Sequence, residues 1–336
     1  MQQQFYEAWR NYSLQDQLIV LFAWLIMATV LITGGTGMIG QALANSLLKK
    51  GYQIIILTRS KEKQKPADNI SYANWDIEHA TIDKEAIEKA DHIIHLAGAN
   101  VADKRWTDKR KKEILESRMK SGALLVKALQ EIPNKVKAVV SASAIGWYGA
   151  DSQIPNLNPF TENDPADDSF PGNTARQWEA AIKPVQQLEK RLVIYRIGIV
   201  LSNNGGAYPE FAKPLKFGAA TILGDGKQII SWIHIDDLIQ LFIYAIENEK
   251  LNGVYNAVAP KPVSNKELIN AIAKSKGGTL ITAHVPQFIL KIMLGEMSTE
   301  ILKSATVSNK KIEAAGYQFI FPTIGTAVFN LHKKAS

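Results

Sequence analysis

The chain has 336 residues, 46% of them hydrophobic, with 39 Lys and Arg against 32 Asp and Glu, a formal charge of +7. That length suits one large α/β domain with a smaller one, and that apolar fraction is typical of a globular protein. There is no cysteine, which excludes disulfides and thiolate catalysis and is compatible with a cytoplasmic setting. No group of His and acids has metal-ligand spacing, so no metal is expected.

The first 26 residues stand apart. Residues 1–17 are polar and aromatic, and Leu18 to Ile32 is nearly all apolar, a run short for a membrane span. It lacks the basic start and cleavage site of a signal peptide. Residues 1–26 read as an appended extension, because Met27 opens what looks like a natural domain start. The competing reading is a membrane-surface helix over residues 5–26.

Val30 to Thr33 is a short apolar run, as expected for a strand buried on both faces. Gly34, Gly35, Gly37 and Gly40 follow. Gly35, Gly37 and Gly40 fit G-x-G-x-x-G, while Gly34, Gly37 and Gly40 fit a G-x-x-G-x-x-G variant. Either spacing makes the same demands: a tight turn, a backbone that can approach a pyrophosphate, and close helix–strand packing. A helix is predicted from about Met38 to Lys50, with its N-terminal N–H groups and positive dipole end offered to phosphates. The residues expected to hold the cofactor here are Gly34, Gly35, Thr36, Gly37, Met38, Ile39 and Gly40.

Tyr52 to Leu57 reads as the second strand. About twenty residues past the glycines, NAD-binding folds carry an acid for the ribose 2′-OH; here stands Leu57-Thr58-Arg59-Ser60. Arg59 is suited to the 2′-phosphate of NADP, so NADP is expected in preference to NAD.

A third strand runs over about Ile70 to Ala73, with Asp76 placed to touch the adenine. A fourth, His92 to Leu96, ends in Ala97-Gly98-Ala99. The small residues there let a cofactor lie against Leu96, Ala97 and Gly98. A long helix follows from about Lys109 to Ile132. Its basic run Lys109-Arg110-Lys111-Lys112 is interleaved with Glu113 and Glu116, which marks a solvated helix face rather than a nucleic-acid site. Val136 to Ser141 and Leu192 to Arg196 are the fifth and sixth strands, with a helix from about Thr174 to Leu188 between them. Strands alternating with helices predict a doubly wound parallel sheet, a Rossmann fold.

From about Ser202 glycines break the pattern into turns. Later pieces are Asp236 to Glu249 (helix), Val254 to Ala257 (strand), Ser264 to Lys274 (helix, with Glu267 at capping-box spacing from Ser264) and Pro286 to Leu294 (helix). His234-Ile235-Asp236-Asp237 reads as a helix cap. The domain expectation is a dinucleotide-binding domain over 27–201, with 231–259 returning to it. A smaller C-terminal α/β substrate lobe is expected from 202–230 and 260–330.

Several motifs then coincide: the glycine turn, His95-Leu96-Ala97-Gly98, Arg105-Trp106-Thr107, Ser117-Arg118, Ser141 to Gly149, Trp178-Glu179, Arg196 to Leu201, Gly205-Gly206-Ala207 and Ser231-Trp232-Ile233-His234. Over about residues 28–330 the chain resembles the extended short-chain dehydrogenase/reductase superfamily. More narrowly it resembles the nucleoside-diphosphate-sugar epimerase-like branch often named SDR39U-like, which ends in a domain of unknown function. The terminal match is Ala283-His284-Val285-Pro286, Leu294-Gly295-Glu296 and Ala315 to Phe319.

The resemblance implies a serine that hydrogen-bonds the substrate oxygen, a tyrosine acid/base and a lysine four residues later. Ser143 matches the serine. The Tyr-x-x-x-Lys pair is missing, since Ala175 and Glu179 stand in its places. Three substitutes are open: Glu179 itself, Tyr148 reaching inward, or a Glu179–Lys183 dyad. Glu179 is the favoured one. Arg105, Trp106, Arg118 and Trp232 are the substrate-binding candidates, suited to an anionic or aromatic ligand, with Trp106 and Trp232 equally readable as packing between lobes.

The expected function is an NADP-dependent oxidoreductase or epimerase-like enzyme for a small carbonyl or hydroxyl substrate. The alternative is a non-catalytic NADP-binding sensor or scaffold, and a third reading is a membrane-associated redox partner using residues 5–26. Fold-level analogy adds a homodimer.

Overall fold

The computed structural model describes residues 28–65, 67–277 and 281–335, so the expectations for residues 1–26 lie outside the described residues. In chain order the elements are β1 (Thr29–Thr33), α1 (Met38–Lys49), β2 (Gln53–Thr58), β3 (Ile70–Asp76), β4 (Thr81–Ile82), α2 (Lys84–Lys89), β5 (His92–His95), α3 (Asp108–Glu131), β6 (Ala138–Ala144), α4 (Phe170–Ile182), β7 (Arg191–Ile197), β8 (Ile199–Leu201), α5 (Ala207–Ala212), β9 (Ala219–Leu223), β10 (Ile229–Ile230), β11 (Trp232–His234), α6 (Ile235–Glu247), β12 (Gly253–Ala257), β13 (Val263–Ser264), α7 (Asn265–Lys276), β14 (Ile281–Val285), α8 (Gln287–Leu294), α9 (Met297–Leu302), α10 (Lys310–Ala314) and α11 (Ile324–Ala335).

Eight strands form the main sheet in the order β12-β7-β6-β5-β1-β2-β3-β4. Every pairing is parallel except β3 with the two-residue β4. Every residue of β1 is buried, as a strand covered by helices on both faces requires. On one face α1 and α6 pack Leu43 and Leu47 with Leu238, Leu241 and Phe242. On the other, α2, α3 and α4 contribute Ile87, Leu124, Leu125 and Ile182. The strand order reverses between β1 and β5, and in open α/β sheets ligands bind at the carboxyl ends of strands beside such a reversal.

Two boundaries differ from expectation for local reasons. The helix expected from Thr174 begins at Phe170, where Ser169 precedes it and Pro171 sits in its first turn, a position where the missing N–H costs nothing. It tightens into a 3₁₀ turn over Lys183–Leu188, because Pro184 cannot donate to the preceding turn. The fifth strand runs to Ala144, so Ser143 stands within β6 rather than after it.

The glycine-broken stretch after Ser202 holds the short helix α5 and strand β9, which pairs with β14. The Ser264–Glu267 capping box is present, and His234 caps α6 by accepting from Asp236 N at 3.1 Å. Leu201, Trp232, Leu268, Val328 and Leu331 share a further core.

The carboxyl-terminal segment is fastened to α6 by one buried acid. Asp237, with no exposed surface, accepts from Ile320 N at 2.7 Å, Phe321 N at 3.0 Å and Tyr317 Oη at 3.3 Å. Burial raises its pKa despite these bonds. Asp237→Ala strands those donors and is expected to cost about 2–4 kcal/mol, from hydrogen bonds to a charged group worth about 1.5–3 kcal/mol each and their partial rehydration. Urea denaturation measures it, and a loss below about 0.5 kcal/mol would contradict the assignment.

Candidate active site

The glycine turn resolves the ambiguity between the two spacings. Gly34 has φ +70°, and a Cβ there would come within 2.9 Å of the Leu96 carbonyl carbon. Gly40 is equally tight: its Cβ would stand 2.3 Å from Gly34 O. Gly37 is the N-cap of α1, where an added Cβ would press on Gly34 O at 3.3 Å, and Thr36 is exposed beside it. The roles therefore follow Gly34, Gly37, Gly40, while Gly35 packs on Ile56. The first turn of α1, including Met38 and Ile39, contains no acid and no side-chain cap, so its N–H groups remain available to an anion. The Gly205–Gly206 turn lies on Met38, with Gly205 3.4 Å from its sulfur for an added Cβ.

A buried polar chain holds the opposite wall. Thr33 Oγ1 accepts from Leu96 N at 3.1 Å and Ala97 N at 3.2 Å, and contacts His95 Nδ1 at 2.7 Å. Since Thr33 Oγ1 has two donors pointing at it, its own proton goes to His95 Nδ1. His95 then carries its hydrogen on Nε2, 3.4 Å from Ser121 Oγ, which donates to Arg118 O. Burial, reinforced by the charge of Arg118, pulls the His95 pKa down to about 3.

Arg59, half of the NADP expectation, is exposed at the end of β2. It shares a concave pocket of ≈ 370 Å³ with Asn74, Trp75, Asp76, Thr81, Ile82 and Asp83. Asp76 is tied to His79 Nδ1 at 2.7 Å and to the N–H groups of Glu78 and His79.

At the carboxyl ends of β6 and β7 lies a second buried cluster. Ser143 and Arg196 are register partners on adjacent strands. Ser143 Oγ donates to Glu179 Oε1 at 2.7 Å, and Arg196 grips the same carboxylate through Nε (2.8 Å) and Nη2 (3.1 Å). The guanidinium lies 3.5 Å from the centroid of the Trp147 ring. Arg196 Nη1 also reaches Tyr148 Oη at 3.1 Å, and Tyr148 donates to Asn256 Oδ1 at 2.7 Å.

These contacts correct several expectations. The Glu179–Lys183 dyad does not form, because Lys183 is exposed in the 3₁₀ turn and Glu179 pairs with Arg196. Tyr148 does not reach inward as an acid/base: it is fully buried, and burial pushes its pKa up to about 12. Trp232 is also fully buried, its Nε1 donating to Lys261 O at 2.9 Å, so it packs a core rather than facing a ligand. Arg105 spends its donors on Met293 O (2.9 Å) and Ile292 O, at the carboxyl end of α8 where a cation is favoured. Trp106 stands edge-on to Phe170 at 5.0 Å and donates to Val101 O. Arg118 does lie at the crevice: a Cβ on Gly98 would come within 3.0 Å of its Cζ. Arg196 is the functional residue that the motifs alone do not single out; its sequence signal is a charge that ends the apolar run Leu192–Tyr195.

Among the described residues no group of His and acids is poised to hold a metal, and no helix is long and apolar enough to cross a membrane. The described crevice fits a dinucleotide: a glycine cradle closed to any Cβ at Gly34 and Gly40, and an uncapped helix N-terminus whose N–H groups face it.

Comparison with known proteins agrees. The model of the NAD dependent epimerase/dehydratase family matches residues 30–257, and that of a domain of unknown function, DUF1731, matches 285–331. An epimerase family protein of Staphylococcus aureus is 34% identical over 92% of this chain and 100% of its own. YfhF of Bacillus subtilis, also an epimerase family protein, is 34% identical over 90% of this chain and 97% of its own. The crystal structure of the human epimerase family protein SDR39U1 with NADPH superposes with a TM-score of 0.81 at 30% identity, covering 91% of this chain and 99% of that one.

Between its ordinary value of 6.5 and its folded value of about 3, His95 binds a proton only in the unfolded chain, so it removes stability as pH falls through that window. His95→Gln is expected to flatten the fall in unfolding free energy between pH 6.5 and 4.5 by up to about 1.4 kcal/mol per pH unit, as read by denaturation at stepped pH. Glu179→Ala leaves Arg196 buried without its partner and is expected to cost about 3–5 kcal/mol. Pairing it with Arg196→Met should restore part of that, and a single-variant loss below about 1 kcal/mol would contradict it.

Proposed function

The chain belongs to the NAD-dependent epimerase/dehydratase family, and on that premise we propose that it is an NADP-dependent oxidoreductase or epimerase-like enzyme acting on a small carbonyl or hydroxyl substrate. The observation that carries the cofactor reading is the uncapped α1 N-terminus floored by Gly34 and Gly37, with the Arg59 pocket beside it. The NADPH held by the human relative supports the choice of NADP, and so does the guanidinium at a position where NAD-binding sites carry an acid.

Gly37, Met38 and Ile39 would hold the pyrophosphate, Arg59 the 2′-phosphate, and Leu96 to Gly98 the adjoining face. Bound there, the nicotinamide supplies or removes a hydride at the substrate carbon. The accompanying proton needs an acceptor on this chain. Ser143 gives its own hydrogen to Glu179, so its oxygen lone pairs are left to accept from a substrate hydroxyl. As the hydroxyl proton moves to Ser143 Oγ, the serine proton moves to Glu179 Oε1, and the reverse transfer serves reduction. Arg196 positions the carboxylate from beneath. This relay stands in for the missing tyrosine, whose place is taken by the buried Ala175.

A non-catalytic NADP sensor is the second reading, favoured by the two guanidinium bonds that already occupy Glu179. Turnover of labelled NADPH against a carbonyl panel separates the two, with Glu179→Gln expected to abolish hydride exchange while NADPH still raises Tm.

The cofactor is tested directly. NADPH at a hundred times its Kd should stabilise the fold by about 2.7 kcal/mol. Arg59→Ala is expected to weaken NADPH about tenfold or more while NADH changes little, given about 1.5–3 kcal/mol for a hydrogen bond to a charged group. Equal loss for both nucleotides, measured by isothermal titration, would remove the NADP assignment.

A further inference from the structure

The seam between α3 and α4, above the end of β5, holds two buried side-chain groups without hydrogen-bond partners beside a cation without a counter-charge. Arg118 on α3 is partly buried, and its Nη1 donates to Ala99 O at 3.0 Å and Ile114 O at 2.9 Å. Among the described residues it has no carboxylate within ion-pair distance, and Glu179, next to Trp178 in the chain, is paired with Arg196. Loss of hydration, with the neighbouring charge of Arg110, pulls the Arg118 pKa down to about 10, the mark of a cation kept from water without a counter-charge.

The guanidinium stands 4.8 Å from the centroid of the Trp178 ring. Trp178 Nε1 is buried without a partner, and so is Thr174 Oγ1 one helical turn earlier. Both residues are only 6% exposed. A buried donor without an acceptor, or a cation without an anion, costs free energy that a ligand can return. One chemistry answers all three groups at once: the oxygens of a carboxylate or a phosphate, which accept from a guanidinium, an indole N–H and a hydroxyl. Neutral His95 below adds no competing charge, and the +7 balance of the chain draws anions. The seam adjoins the proton relay, because Thr174 and Trp178 each immediately precede Ala175 and Glu179 on α4.

We propose that Arg118, Trp178 and Thr174 form an acid-group subsite that takes a carboxylate or phosphate of the substrate, so that this enzyme acts on acidic hydroxy or oxo compounds. The proposal rests on the reading of the neighbouring crevice as the cofactor site, and names the substrate class for it.

The test is thermal unfolding and tryptophan fluorescence with malonate and inorganic phosphate as probes, malonamide as the neutral isostere and sodium chloride at matched ionic strength. Each titration is run with and without saturating NADPH, so that a failure of NADPH to bind is seen separately from a failure of the anions. Malonate or phosphate is expected to raise Tm and quench fluorescence with a saturable Kd, and malonamide and chloride are not. Arg118→Met should weaken the anions at least tenfold while NADPH still raises Tm. Trp178→Phe, which keeps the ring and removes the N–H, should weaken them by a smaller factor. Absence of any anion response in the parent protein, or its survival in Arg118→Met, overturns the proposal. Loss of NADPH binding in Arg118→Met, measured without added anion, would assign the oxygens to the cofactor's own phosphates and overturn the substrate claim.

Discussion

The close approach of two backbones governs the architecture of this site. Gly34 passes Leu96 and Ala97 at a distance that no side chain could share, and Thr33 and His95 fix that spacing from below through a hydroxyl serving three partners. Because Thr33 and His95 are register partners on β1 and β5, the contact also sets the point where the strand order reverses. A crevice at that point is therefore a product of hydrogen bonding in the strand ends, and the helix that begins at Met38 only supplies its polarity.

The second buried cluster is organised differently. Ser143, Glu179 and Arg196 come from two strands and a helix, and the arginine is shared among a carboxylate, a phenol and an indole face. Such a group is stable only when complete. Glu179 stands near the end of α4, and its cation comes from the neighbouring strand β7 as Arg196 rather than from a lysine on the helix itself.

Much of this was legible in the residues. The period-breaking glycines, the buried strands and the capping box at Ser264 are local signals, and local geometry follows them. The absence of an acid after Leu57 likewise directs attention to Arg59. What stayed hidden depends on long-range pairing. Nothing near Glu179 in the chain announces Arg196, seventeen residues on, as its partner in preference to Lys183, because the choice is made by strand register. Tyr148 and Trp232 misled for a related reason: an aromatic beside a motif can face a ligand or a core, and only the packing of distant elements around Asn256 and Lys261 decides which.

The terminal segment matched by a domain of unknown function is joined to the rest at widely separated places. Asp237 collects its backbone, Arg105 holds the end of α8, and Asp151 binds Ser304 and Thr306. Each tie leaves charged or polar groups of the sheet-bearing part orphaned if the segment is lost. The two stretches therefore depend on each other: without the segment over 285–331, Asp237 would lose the donors that make its burial tolerable.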